Sequence, residues 1–381
     1  MLTPEGCATR RQRLWDALPS PCDVLIVSDP QHLIYFANYE TSPFVFRAND
    51  AGALLVLEPG KATLVADSML RPFCDQAHVD EVVAPDWYNG KTSAPHRQGL
   101  LVRTALDVLA QRHGRRIGVE LGTAPGGVLE GLRGARPGLE LFDLDPVIRP
   151  LKRAKDADEL DVLRRSFRAG EAGHAAAMAG IQPGMTELDA YLLVQSAAIK
   201  ELGEPAIVYG DFASGTRCEI ERGGPPTHRT IERGDLFLLD YSVIVRGYRG
   251  DFTNTFAVGS RATARQRELF DACLGALRAG EALLKPGTPG RAVDEAVHAH
   301  FQALGLDVYF PSHTGHGIGL GHPDPPYLVP ESTDTLIAGD VVTLEPGLYI
   351  RGEGGMRIEH NYLITANGFE TLTHHRLAID V

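Results

Sequence analysis

The chain has 381 residues, 44% of them hydrophobic and 23% charged, with a formal net charge of -12. That length exceeds one ordinary hydrophobic core, so two or three domains are expected, and the composition is that of a soluble globular protein. The acidic balance excludes a surface that tracks nucleic-acid phosphates, and no uninterrupted apolar run reaches the ~18 residues of a membrane span.

Cys7, Cys22, Cys74, Cys218 and Cys273 are odd in number and without CxxC spacing, so they read as reduced thiols. The start of the chain lacks the basic and apolar regions of a signal peptide, and a cytoplasmic location is expected. In chain order, the apolar runs at 23–27, 52–57 and 62–66 have the length of buried strands. Helical periodicity follows from Gly99 to His113, then another strand at 116–120. Residues 1–150 are therefore expected to form an α/β domain, in which no catalytic motif stands out.

The pattern changes at Val147-Ile148-Arg149-Pro150, and residues 151–381 are expected to form a second domain. Asp156-Ala157-Asp158-Glu159 opens a long helix by a capping box, running to about Gly180. A second helix is expected from Thr186 to near Gly203. A further pair opens at Thr263, with Gln266 three residues on, and at Thr288, with Pro289 in the first helical position.

Between the helix pairs lies Gly234-Asp235-Leu236-Phe237-Leu238-Leu239-Asp240, which continues to Val245, turns at 246–250 and returns as Asp251-Phe252-Thr253-Asn254-Thr255-Phe256. Runs rich in Val, Ile, Phe, Tyr and Thr around a Gly-containing turn predict a β-hairpin, with Asp240 and Asp251 close to opposite one another on one face. The pattern recurs. Thr230 to Asp235 followed by five residues ending in Asp240 is matched by Thr335 to Asp340 followed by five ending in Glu345, and a second hairpin leads through Gly352–Gly355 to Glu359. Two such hairpins suggest an internal duplication whose halves face each other. Helices on one side of a curved, largely antiparallel sheet would leave the other side for the acids.

Four converging carboxylates require a cation. At a separation of about 4 Å and an effective dielectric of about 20, each like-charged pair costs roughly 4 kcal/mol. His316, in Gly315-His316-Gly317-Ile318-Gly319, is a fifth candidate ligand, because glycines on both sides let backbone pack closely against a site. The set in order is Asp240, Asp251, His316, Glu345 and Glu359.

With these residues the sequence resembles the pita-bread metallopeptidases, which include methionine aminopeptidase, aminopeptidase P and prolidase. The resemblance covers about 155–381. It rests on Lys155-Asp156-x-x-Glu159-Leu160, the eleven-residue step between the aspartates, the His316 motif, Leu344-Glu345-Pro346-Gly347-Leu348-Tyr349 and Gly355-x-Arg357-Ile358-Glu359. It implies a pita-bread catalytic domain and, in residues 1–150, the companion α/β domain of prolidases, aminopeptidases P and creatinases. It also implies a homodimer and two divalent metal ions sharing a hydroxide of lowered pKa. Asp251 and Glu359 would bridge the ions, Asp240 would hold one, and His316 and Glu345 would complete the other, with Glu345 as general base and proton donor. Manganese is the expected metal for a mostly carboxylate shell, with cobalt or zinc as alternatives. The expected substrate is a short peptide with proline after the scissile bond, cleaved as by an Xaa-Pro dipeptidase. The alternatives are an aminopeptidase P-like exopeptidase and a non-peptidase hydrolase or lyase of the creatinase, ectoine hydrolase or dimethylsulfoniopropionate lyase type.

The family's three outer-shell histidines are replaced here by Gly223, Ser312 and Pro323, and the acid usual after Glu359 is His360. His313 and His322 stand one step away. They are read either as doing the old work from rebuilt loops or as ordinary loop polarity, since a one-residue shift within a strand reverses a side chain. Arg357 either orients a carboxylate or makes a structural salt bridge. Tyr241, adjacent to Asp240, falls on the other face and reads as core, and His228 reads as surface.

Overall fold

The computed structural model describes residues 1–41, 51–91, 93–112, 114–221 and 223–381. It divides into two compact units, Met1–Lys152 and Arg153–Val381. In the first, six strands pair among the described residues in the order Glu81–Val83, Lys61–Val65, Leu54–Glu58, Val24–Val27, Arg116–Val119 and Glu140–Asp143. Val24–Val27 is the pivot, antiparallel to Leu54–Glu58 and parallel to Arg116–Val119. The helix expected from Gly99 runs Arg97–Ala110, and His113 lies outside the described residues. It buries Leu101, Ala105, Val108 and Leu109 against Val24, Ile26, Leu54 and Val56, as helix period 3.6 over strand period 2 requires.

The second unit contains an antiparallel three-stranded sheet of Ile207–Ser214, Leu236–Val245 and Tyr248–Ala257. The hairpin turn is tighter than the sequence suggested, with only Arg246 and Gly247 between the strands, at φ 51° and 78°. A two-residue turn with both positions left-handed matches strand twist but is signalled by Asn-Gly or Asp-Gly, which Arg-Gly does not resemble. The resulting register corrects the expected pairing of the aspartates. Asp240 faces Thr253 and Asp251 faces Ser242, so the two acids are diagonal neighbours on one face. Tyr241 points the other way, is 1% exposed, and donates its hydroxyl hydrogen bond to the Gly170 carbonyl. His228 is exposed, as expected.

The duplication is visible in the backbone. Gly234 and Gly339 adopt φ of 91° and 95°, and the Asp235 and Asp340 carboxylates that follow each accept the amide three residues earlier, from Glu232 and Ile337, at 2.8 Å. Ile231 and Leu336 donate their amides to Met185 and Thr288, while Gly184 and Gly287 donate back to Ile231 and Leu336. Each exchange launches a helix, Glu187–Leu202 and Gly290–Ala303. The second helix begins one residue later than its sequence suggested. Pro289 is its N-cap, because the chain is already pinned there by the Thr288 and Asp334 carbonyls, which accept the Leu336 and Gly290 amides. Helix Ala264–Glu281 has the expected Thr263–Gln266 capping box.

The core of this unit joins Leu269, Cys273 and Leu277 of that helix, and Val293, Val297 and Phe301 of the next, to Leu344, Leu348, Met356 and Tyr362. On the other side helix Ala157–Gly180 lies so close to the three-stranded sheet that a Cβ at Gly170 would come within 2.0 Å of the Phe252 ring. The second hairpin, Gly347–Ile350 with Gly354–Arg357, docks on the first. Thr255 Oγ1 donates to the Arg357 carbonyl at 3.1 Å, and the Glu359 amide donates to the Thr253 carbonyl at 3.0 Å.

Candidate metal centre

Asp240 and Asp251 stand on the free face of the first hairpin, and the docked second hairpin brings Glu359 to them. Thr253 holds Glu359 twice, through its carbonyl to the amide and through Oγ1, which donates to Glu359 Oε2 at 2.8 Å. Asn361 donates to the Asp251 carbonyl, tying the strand after Glu359 to the first hairpin. His316 lies on the short strand Gly315–Gly317. A Cβ at Gly315 would fall 2.0 Å from the Thr343 carbonyl oxygen and one at Gly317 2.3 Å from that of Pro325, so neighbouring backbone requires both glycines. Glu345 follows strand Val341–Leu344, its amide donating to the Thr314 carbonyl at 2.9 Å.

The five candidates converge. One oxygen from each of Asp240, Asp251 and Glu359 lies within 4.8 Å of the others. His316 Nε2 is 3.2 Å from Glu345 Oε1 and 4.0 Å from Asp251 Oδ2. Asp251, His316, Glu345 and Glu359 are buried, and Glu359 is 1% exposed. Asp240, Asp251, His316 and Glu345 line a cavity of about 370 Å³.

His313 and His322 both reach this cavity. His313 Nε2 is 3.0 Å from Glu345 Oε1, and His322 Nε2 is 2.6 Å from Asp251 Oδ2. Neither lies in a strand, so the alternation that would have turned them away does not apply. Ser312 and Pro323 line the same cavity. At Gly223 a Cβ would collide with Ala213 Cβ at 2.7 Å, so the local packing has closed over the space a side chain would need.

Arg357 does not pair with Glu359. Its guanidinium, 7% exposed, meets the Asp240 carboxylate directly and Asp211 Oδ2 at 3.3 Å, and donates to the Tyr349 hydroxyl at 2.7 Å and the Glu221 carbonyl at 3.2 Å. Asp211, Glu221 and the Tyr349 hydroxyl were missed as parts of the site. Asp211 lies on strand Ile207–Ser214, opposite Asp240, and the β-branched pair Ile207-Val208 was the available signal for that strand.

The charges are crowded. Burial, opposed by Arg357 and reinforced by Asp251 and Glu345, pushes the Asp240 carboxyl up to about 7. Burial and the nearby Asp251, Glu345 and Asp240 hold Glu359 well above the usual range. Glu345 is held low despite its burial, because His313 and His316 hydrogen-bond to it. His313 is raised by its bond to Glu345, and at His322 the Asp251 carboxylate outweighs a burial that disfavours charge. Glu359 Oε1 has no hydrogen-bond partner among the described residues. A buried, unpartnered carboxylate oxygen among three other acids fits cation binding, and a set of hard oxygens with imidazole suits a divalent ion of the manganese, cobalt or zinc kind.

Comparison with known proteins follows the same lines. Residues 161–366 match the family described as metallopeptidase family M24, and residues 10–152 match the creatinase/prolidase N-terminal domain. The chain is 31% identical over 282 residues to an uncharacterized peptidase, YqhT, of Bacillus subtilis, covering 72% of this chain and 78% of that one. It is 31% identical over 262 residues to the Xaa-Pro dipeptidase of Pyrococcus furiosus, covering 68% and 73%. Its fold is that of the Xaa-Pro dipeptidase from Bacillus anthracis, with a TM-score of 0.82 over 98% of this chain and 100% of the other at 23% identity.

Proposed function

Since the chain belongs to metallopeptidase family M24, we propose that it is a two-metal Xaa-Pro dipeptidase, with residues 151–381 as the catalytic domain and 1–150 as its companion. The observation that carries this reading is the convergence of Asp240, Asp251, His316 and Glu345 on one cavity, with Glu359 clustered behind Asp240 and Asp251 and one of its buried oxygens left without a partner among the described residues. Asp251 and Glu359 would be shared between two ions, Asp240 would complete the first and His316 with Glu345 the second. When bound, such ions supply Lewis acidity and water of lowered pKa. Manganese is the proposed metal and a homodimer the proposed assembly.

The protein's own groups divide the remaining work. Glu345, held ionised by His313 and His316, is the base that takes a proton as water attacks the scissile carbonyl. It returns that proton to the proline nitrogen as the C–N bond breaks, so the amine leaves neutral. Arg357 fixes Asp240 in orientation by bonding its oxygen while Tyr349 and the Glu221 carbonyl hold the guanidinium. His313 and His322 line the cavity wall and hold the carboxylates of Glu345 and Asp251 through their Nε2 atoms. Purified protein supplied with Mn(II) is expected to release proline from Ala-Pro and Met-Pro. Absence of release across a panel of Xaa-Pro dipeptides overturns the proposal.

A further inference from the structure

The cavity has more negative charge than two ions would use. Asp211, Glu221, Asp240, Asp251 and Glu345 line it, and among the described residues Arg357 is the one lysine or arginine in its wall. Two ions would engage Asp240, Asp251 and Glu345 together with Glu359. Arg357 is already occupied by Asp240, Asp211, Tyr349 and the Glu221 carbonyl. Asp211 meets the shared guanidinium at 3.3 Å, while Glu221 lines the same wall and gives Arg357 only its backbone carbonyl.

Their surroundings have a definite chemistry. Asp211 and Tyr209 are two apart on strand Ile207–Ser214 and share its face, opposite Asp240 and Ser242. Asp211 keeps 27% of its side chain exposed, and Tyr209, 43% exposed, adds an aromatic wall beside it. Arg249 stacks on the Tyr209 ring at 4.9 Å but does not line the cavity. Glycine at 223 leaves no side chain to cover Asp211, whose Oδ2 lies 3.8 Å from where a Cβ would be. An aromatic surface leading to two carboxylates matches a side chain with an apolar stem and a charged end.

We infer that Tyr209, Asp211 and Glu221 form a subsite for a cationic side chain, so that the enzyme prefers lysine or arginine in the residue preceding the scissile bond. The inference rests on the reading of this cavity as a peptidase active site. One charge-assisted hydrogen bond in a cavity wall is expected to favour Lys-Pro over the nearly isosteric norleucyl-proline by roughly tenfold in kcat/KM.

The test compares kcat/KM for Lys-Pro, norleucyl-proline and Glu-Pro in the Mn(II)-loaded wild type and in Glu221→Gln, Asp211→Asn and Glu221→Lys. Each neutral variant should cut the lysine-to-norleucine ratio severalfold, and Glu221→Lys should turn preference toward Glu-Pro, whatever happens to the absolute rates. A wild-type ratio near one, or a ratio unmoved by all three substitutions, overturns the inference even where proline is released. Calorimetric binding of lysine amide and norleucine amide to the same loaded protein separates this from the dipeptidase reading. Should no dipeptide be cleaved, tighter binding of lysine amide, lost in Glu221→Gln, supports the subsite while the dipeptidase reading falls. Equal binding of the two amides overturns the subsite.

Discussion

Replacing Glu359 by glutamine should stabilise the metal-free protein while abolishing its response to metal. Glu359 shares a 4.8 Å neighbourhood with Asp240 and Asp251. At an effective dielectric of about 20, each like-charged pair at that distance costs about 3.5 kcal/mol. The protein has a cheaper route, which is to keep a proton on Glu359, and its carboxyl is held well above its usual 4.5. The sign follows from linkage. A group raised in the folded state stabilises fully below its unfolded value, and that contribution is lost as pH rises, so metal-free wild type weakens as pH climbs above 4.5. One such pairwise repulsion, on the order of 3 kcal/mol, sets the scale of that cost at neutral pH. Glutamine keeps the shape and the Thr253 contact without a titrating proton. Chelator-treated Glu359→Gln should therefore melt ~6–12 °C above chelator-treated wild type at pH 7, the gap closing toward pH 4.5. Mn(II) at a hundred times its Kd should raise wild type by about 2.7 kcal/mol, or ~5–10 °C, and the variant little. Differential scanning calorimetry with and without metal reads both. A metal-free variant that melts below wild type, or one that gains as much from Mn(II), refutes the reasoning.

Two further outcomes test the scaffold around the site. Gly170→Ala places a Cβ within 2.0 Å of the Phe252 ring, next to Asp251, and should cost about 1–3 kcal/mol; an unchanged melting temperature would deny that close approach. His174 is 2% exposed with Nε2 unpartnered among the described residues, and burial lowers it to about 4, so its neutral form is a condition of folding. Stability from it is present above pH 6.5 and is lost as pH falls toward 4, at up to about 1.4 kcal/mol per pH unit. In His174→Leu the acid limb of a urea-denaturation profile should be shallower; equal slopes in variant and wild type would remove His174 from the account.

What was legible in the sequence was what repetition made redundant. The Gly-Asp turns, the acids five residues beyond each aspartate and the flanking glycines of His316 each carry a backbone requirement as well as a chemical one, and two independent copies of a requirement are hard to misread. Asp211 carried no such mark. It is a single acid in an edge strand, and its place opposite Asp240 follows only from cross-strand register. The strands Glu81–Val83 and Glu140–Asp143 were missed for a related reason, being three and four residues long with partly exposed side chains, too short for a period to show. Arg246 took a left-handed turn position on which its sequence was silent.

His313 and His322 expose the limit of motif spacing. Counting from the ligands puts Ser312 and Pro323 at the expected positions, yet both those residues and the adjacent histidines line one cavity. Spacing predicts direction only where a strand enforces alternation, and the described strand around His316 is three residues long. Beyond it the side chains follow their own hydrogen bonds, His313 to Glu345 and His322 to Asp251. Those two carboxylates are fixed by other strands, so an imidazole from either loop meets its acid without a strand setting its direction. Asp240, Asp251 and Glu359 are placed more tightly, by the hydrogen-bond ladder of two hairpins docked through Thr253 and Thr255. The candidate ligands are therefore the readable part of the site, whereas Asp211 is placed by its pairing with Asp240 across strands, a register that spacing along the chain does not show.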